Sequence, residues 1–262
     1  MDSKKLIDKI LKYDSDGEII IELITQKVLT IKDIIKYGIL SFDIDFIIKL
    51  IELSNEEEFA VIEEEIIKNK TIEDLYQFAL NVEKCNISKI ETELLKREFN
   101  PTIIEFAAQF KEINIDLFEN KIIEIEQESS RLHWLIIFAR DVENANINKL
   151  CDYIIKAMDP HYIFLFALCV SNADVEKLGN ALVNTNNDYY TCRFLIRLGY
   201  KISKELRKKL LNVLIENNNY QYIEELFLET NDISLFEYKE ALSIIKKRKN
   251  KKLIKKLNKF NI

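Results

Sequence analysis

The residues with chemical reach in this chain are few: two histidines, four cysteines and two short glutamate runs. His133 and His161 each stand five residues before a phenylalanine, Phe138 and Phe166, in corresponding parts of two similar stretches. A metal site needs several Cys, His or acidic ligands at defined spacing, and no such series completes either histidine. A surface or packing role is expected for both. Cys85, Cys151, Cys169 and Cys192 show no Cys-x-x-Cys spacing. Cys85 and Cys169 fall where a small apolar side chain is wanted, which free cysteine supplies. A nucleophilic thiol needs a base beside it, and no histidine partner is suggested. Reduced thiols in a cytoplasmic compartment are therefore expected. Glu56, Glu57 and Glu58, with Glu63, Glu64 and Glu65, make an acidic patch. General acid–base work needs a pocket that shifts a carboxyl pKa. Without sign of one, the patch is expected on a solvated helix face, where it would attract a basic partner. The chain is expected to be no enzyme and to need no cofactor.

The opposite charge is concentrated elsewhere. Residues 1–190 carry 21 Lys and Arg against 36 Asp and Glu, whereas residues 191–262 carry 17 against 8. Arg193, Arg197, Lys201, Lys204, Arg207, Lys208 and Lys209 begin the basic region. Lys246, Lys247, Arg248, Lys249, Lys251, Lys252, Lys255, Lys256 and Lys259 end it, with no acid after Glu240. Clustered lysines give salt-dependent affinity for phosphate chains. Leu253, Ile254, Leu257 and Phe260 add an apolar stripe at helical spacing, so the tail also reads as a basic amphipathic helix for a membrane or a partner. A solvated last helix is the plainer alternative.

These groups must be positioned by a repeated element. Phe78-Ala79, Phe106-Ala107, Phe138-Ala139 and Phe166-Ala167 are each followed, nine residues after the Phe, by Ile87, Ile115, Ile147 or Val175 behind an Asn or Asp. Ile202 continues the series, and the anchors are 28, 32, 28 and 27 residues apart. Asn231-Asp232-Ile233 is a degraded sixth copy and Tyr37–Phe46 a diverged earlier one. Self-similarity at this period marks stacked helical hairpins that bury their apolar faces only against neighbours. The fold expected is all-α, an α-solenoid of helix-turn-helix hairpins with a period of about 27–32 residues. Only 4 glycines and 2 prolines in 262 residues agree with helices joined by short polar loops. Phe166, Ala167 and Val170 form one apolar stripe, with Ala expected to admit a neighbouring helix. The Asn or Asp sits at the turn, and the Ile or Val after it is expected to plug the wedge between the two helices. Asp159-Pro160 has the form of a helix start, as does Asn100-Pro101. Thr30-x-x-Asp33, Thr71-x-x-Asp74, Ser88-x-x-Glu91 and Asp116-x-x-Glu119 have capping-box spacing. The varying anchor spacing is assigned to loops of different length.

Upstream, the pattern predicts helices over Lys4–Tyr13, Glu18–Val28, Ile31–Ile39, Asp45–Leu53 and Glu56–Lys68. The organisation expected is an N-terminal helical cap or small lobe over 1–70, a repeat array over 71–245 and a basic helix or tail over 246–262. No apolar run approaches the ~18 residues of a membrane-spanning helix, and Met1-Asp2-Ser3-Lys4-Lys5 lacks a signal peptide's apolar core.

Ile137-Phe138-Ala139-Arg140-Asp141-Val142-Glu143-Asn144-Ala145-Asn146-Ile147 and Tyr162-Ile163-Phe164-Leu165-Phe166-Ala167 resemble a helical-repeat group of clostridia-like bacteria, their phages and some giant viruses. That group's consensus is Tyr-Ile-Tyr-x-Phe-Ala-x-x-Val-x-Gly-Ala-Asn-Ile-x-x-Leu-Glu. The resemblance covers about residues 72–205. The consensus Gly is replaced by Lys84, Glu112, Asn144 and Asn172 and kept only as Gly199, as in a divergent member. The resemblance implies a scaffold and no activity. Together with the array, it suggests a protein that binds a protein partner, as a phage- or virus-type inhibitor or adaptor of a host system. The alternative is a nucleic-acid-binding solenoid that uses the basic C-terminal region.

Overall fold

A computed structural model describes residues 3–14, 17–230, 239–248, 252, 254 and 255. All the regular structure among them is helical, with no strand. The first helices are α1 Ser3–Ile10, α2 Glu18–Thr25, α3 Ile31–Gly38, α4 Ile44–Glu52, α5 Glu56–Asn69, α6 Ile72–Asn81, α7 Ile87–Lys96, α8 Thr102–Gln109 and α9 Ile115–Ile123. They are followed by α10 Glu128–Asp141, α11 Ile147–Ala157, α12 Pro160–Cys169, α13 Val175–Thr185, α14 Asp188–Leu198, α15 Lys204–Glu216, α16 Tyr220–Glu229 and α17 Lys239–Arg248. The five helices predicted before residue 70 are all present. The degraded copy at Asn231 lies outside the described residues.

The chain forms two compact units, Met1–Lys121 and Ile122–Ile262. In the first, each helix touches the next but one: α1 with α3, α2 with α4, α3 with α5, α4 with α6, α5 with α7 and α6 with α8. In the second, α10, α12, α14 and α16 touch in series, α11, α13 and α15 do the same, and consecutive helices also pack. The motif residues supply the core. Phe78, Phe106, Phe138, Phe166 and Phe194 are fully buried, and Ala79, Ala107, Ala139 and Ala167 are buried beside them. The Ile or Val that opens each second helix is only half-buried. The residue three further on is the full plug: Ile90, Phe118, Leu150 and Leu178 are each 0% exposed. The buried contact is thus made one helical turn inside the helix, on the same face.

Local start signals explain where the helices begin. Thr30 with Asp33 and Thr71 with Asp74 form capping boxes. Asp159 accepts from His161 and Tyr162 amides, with Pro160 in the first turn. Asn100 accepts from the Thr102 amide, and α8 starts one residue after Pro101. The boxes expected at Ser88 and Asp116 do not form. Asn86 caps α7, accepting from Lys89 N–H at 3.0 Å, and α9 already runs from Ile115. Glu91 and Glu119 are buried instead. The wide 32-residue spacing is not a long loop either. It is taken up largely by α10, at 14 residues the longest of the first helices of these hairpins, against 8 in α8 and 10 in α12.

A second tie links alternate helices. Glu63 accepts the Asn86 N–H at 2.7 Å, Glu91 that of Asn114 at 3.0 Å, and Glu176 that of Ser203 at 2.9 Å. Each carboxylate thus pins the start of the helix two further along the chain. Where later copies lack a glutamate four residues after the anchor, Cys151 and Gly179 fill the place, both buried. A Cβ on Gly179 would stand 2.7 Å from Leu206, so the absent side chain is what lets α13 and α15 approach.

Candidate interaction face

On α10, α12 and α14 an aromatic pair stands five and four residues before the buried phenylalanine, and none of the six side chains is buried. His133-Trp134, His161-Tyr162 and Tyr189-Tyr190 recur every 28 residues, each in the first half of its helix. Tyr222 on α16 extends the band. Its ring lies 6.2 Å from that of Tyr189, and Tyr189 and Tyr190 pack edge to face at 4.9 Å. Tyr190 crosses to α12, where its hydroxyl lies 3.0 Å from His161 Nδ1 and its ring 6.1 Å from Phe164. The Tyr162 hydroxyl donates to the Ser129 carbonyl of α10 at 3.0 Å. Burial raises the Tyr190 hydroxyl pKa, with Tyr189 and Asp159 adding to it. The phenol therefore stays a neutral hydrogen-bonding group.

Between α12 and α14 this band opens into a groove of about 440 Å³, lined by Phe164, Leu165 and Leu168 from α12 and by Tyr189, Tyr190, Arg193 and Arg197 from α14. Leu168 is 45% and Tyr189 43% exposed. Arg193 lies over Tyr189, its guanidinium carbon 5.4 Å from the ring centre. It also reaches to α16, 2.9 Å from Glu225 and 3.7 Å from Glu229. Arg197, one turn on, is exposed and makes no hydrogen bond or ion pair among the described residues.

The basic residues singled out in the sequence are divided among elements. Arg193 and Arg197 are on α14. Lys201 is in the 3-10 turn Gly199–Lys201, its ammonium 5.7 Å from the Tyr200 ring. Lys204, Arg207, Lys208 and Lys209 are on α15, where Arg207 donates to the Ile202 carbonyl and Lys209 to Asn180. Lys246 and Lys247 are exposed on α17 and, with Leu242 and Ser243, line a groove of about 520 Å³. Lys252, Ile254 and Lys255 are exposed. The Arg248 side chain, Lys249, Lys251, Lys256 and Lys259, and with them Leu253, Leu257 and Phe260, lie outside the described residues.

The acidic run also divides. Glu56 and Glu57 are exposed in the first turn of α5, and Glu58 accepts the Asn55 amide as part of a capping box. Glu64 is exposed, and Glu65 accepts from Asn69. Glu63 departs from the solvated face expected of the run: it is 6% exposed, on the Asn86 amide and 3.4 Å from Lys89. His133 is exposed against Trp134. No group of three or more His, Cys, Asp or Glu among the described residues is arranged to hold a metal ion. Burial pushes the Cys85 and Cys151 thiols up to about 11 and Cys192 up to about 12, the opposite of what an activated thiolate needs.

No family model, curated protein or solved structure matches the chain. The signal for the aromatic band in the sequence is the 28-residue recurrence of aromatic pairs, in which the histidines are only the first members of two of them.

Proposed function

We propose that the protein is a non-enzymatic helical-repeat scaffold that binds a protein partner. In this reading the hairpins of the second unit stack as an α-solenoid, and the aromatic face of α10, α12, α14 and α16 receives the partner. The observation that carries it is the aromatic band itself. Aromatic side chains with a polar tip are the favoured anchors of protein interfaces, and here half-buried and exposed ones recur beside the buried phenylalanine series. The resemblance to phage and giant-virus repeat proteins extends the reading to an adaptor or inhibitor of a host component. The test is retention of a partner from native host lysate by the full chain and by a Tyr189→Ala variant. A protein identified as held in near-equal amount by the chain and lost with Tyr189, at unchanged circular dichroism, supports the reading. A partner held equally by both forms moves the site elsewhere.

A second reading, nucleic-acid binding through the basic C-terminal region, rests on Lys208, Lys246, Lys247 and Lys255. All four are exposed and without an ion pair among the described residues. It is the weaker one, because these lysines belong to different helices and the aromatic groups that could stack on bases belong to neither α15 nor α17.

A further inference from the structure

Resting on the reading of the aromatic face as a protein-docking surface, we propose that the groove between α12 and α14 takes a short acidic–apolar segment of the partner. A leucyl or aromatic side chain sits against Phe164, Leu165 and Leu168, and a neighbouring Asp or Glu carboxylate pairs with Arg197.

The charge argument comes from the two arginines of α14. Arg193 already has its carboxylates, Glu225 and Glu229. Arg197 faces the same groove with the same planar fork of donors and has no partner among the described residues. Guanidinium groups pair with carboxylates through two parallel hydrogen bonds, stronger and more directional than an ammonium contact. The Arg193–Glu225 pair is the intramolecular form of the contact that Arg197 leaves open. The apolar side of the groove supplies the second half of the specificity. Leu168 is 45% exposed although its helix neighbours Phe166 and Ala167 are buried, and a volume of about 440 Å³ holds one or two large side chains.

The same features argue against a nucleic acid here. A phosphate chain needs several uncompensated cations along its path. This groove offers Arg197, while Glu225 and Glu229 beside Arg193 repel further phosphates. A segment with one or two carboxylates next to an apolar anchor suffers no such repulsion.

The experiment is fluorescence anisotropy of the full chain with short fluorescein-labelled peptides at physiological salt. The peptides combine Leu and Phe with Asp and Glu, with Lys and Arg, or with Ser alone, and a further one has Asp and Glu without the apolar residues. The acidic–apolar peptide is expected to bind, and the others to bind at least about tenfold more weakly. Leu168→Asp and Arg197→Ala should each weaken it by about tenfold or more, and Arg197→Glu should shift preference to the basic–apolar peptide. Both residues are exposed, and unchanged circular dichroism separates lost binding from lost folding. Equal binding of the Ser peptide, preference of the unaltered chain for the basic peptide, or binding indifferent to both substitutions would overturn the proposal. So would failure of every peptide to bind, or an oligonucleotide that binds in a Leu168-dependent way. If the proposal fails while a lysate protein is still held in a Tyr189-dependent way, only the acidic–apolar chemistry falls. If that retention also fails, the docking reading falls with it.

Discussion

Glu91 lies 8% exposed with its carboxylate on the Asn114 amide, and removing this charged acceptor takes away a hydrogen bond at the start of α9. Glu91→Leu is expected to lower stability by about 1–3 kcal/mol, read as a fall in the urea midpoint, while Glu91→Gln, which keeps an acceptor oxygen, should cost less. An unmoved midpoint for the leucine variant would mean that the amide finds water. The thiols carry a second expectation. Burial holds Cys85, Cys151 and Cys192 neutral in the folded chain up to about 11, 11 and 12, whereas an unfolded thiol ionises near about 8.5. Below that pH the preference has its full effect. Above it the unfolded chain releases protons that the folded chain keeps, so stability falls as pH rises through about 9 to 11. Iodoacetamide at neutral pH should therefore modify half-buried Cys169 first, and mass mapping that found Cys192 first would contradict this burial. Residue types were legible where their reasons are local: Thr30–Asp33 and Thr71–Asp74 box because both partners lie within one turn. Ser88–Glu91 has the same spacing inside a helix that starts at Ile87, and there the glutamate faces another hairpin. Only the recurrence of Glu63, Glu91 and Glu119 every 28 residues marked it.

Among elements, the start of α2 is fixed by one glycine. Gly17 has φ +71°, and a Cβ there would lie 2.1 Å from the ring of Phe46 on α4, itself 2% exposed. Gly17→Ala combines a disfavoured backbone with an overlap in the core, so a loss of more than about 1 kcal/mol is expected, measured as a lowered thermal midpoint. A neutral result would require Phe46 to have an alternative rotamer. From α6 to α14 helix existence was readable from periodicity, because the first helix of each repeat carries the same buried phenylalanine. The extra turn of α10 was not, since four added residues fit a loop or a helix equally well until neighbouring contacts choose. The groove was hidden for a related reason. Phe164, Leu165 and Leu168 sit in the same sequence run as Ile163, Phe166 and Ala167, and periodicity separates inward from outward residues poorly in a helix apolar on most sides.

For the whole molecule the informative measurement is salt. The chain joins an acidic body to a basic end, and α17 keeps Ala241 and Ile245 buried while Lys246 and Lys247 are exposed. The full chain and a form ending at Ile245 are both expected to leave mixed RNA and DNA unbound at physiological ionic strength. Binding that needs the tail and falls steeply between low and moderate salt would favour the nucleic-acid reading. The carboxylate ties from Glu63, Glu91 and Glu176 to the start of a later helix have a consequence for how such a chain grows. The acceptor travels with its own hairpin, and the donor is a main-chain N–H that every residue except proline possesses. An in-frame duplication of one hairpin would therefore bring a working fastener with it, whatever sequence it lands beside. Exposed positions are then left to drift towards new partners, while the register of the copies is inherited with the glutamate.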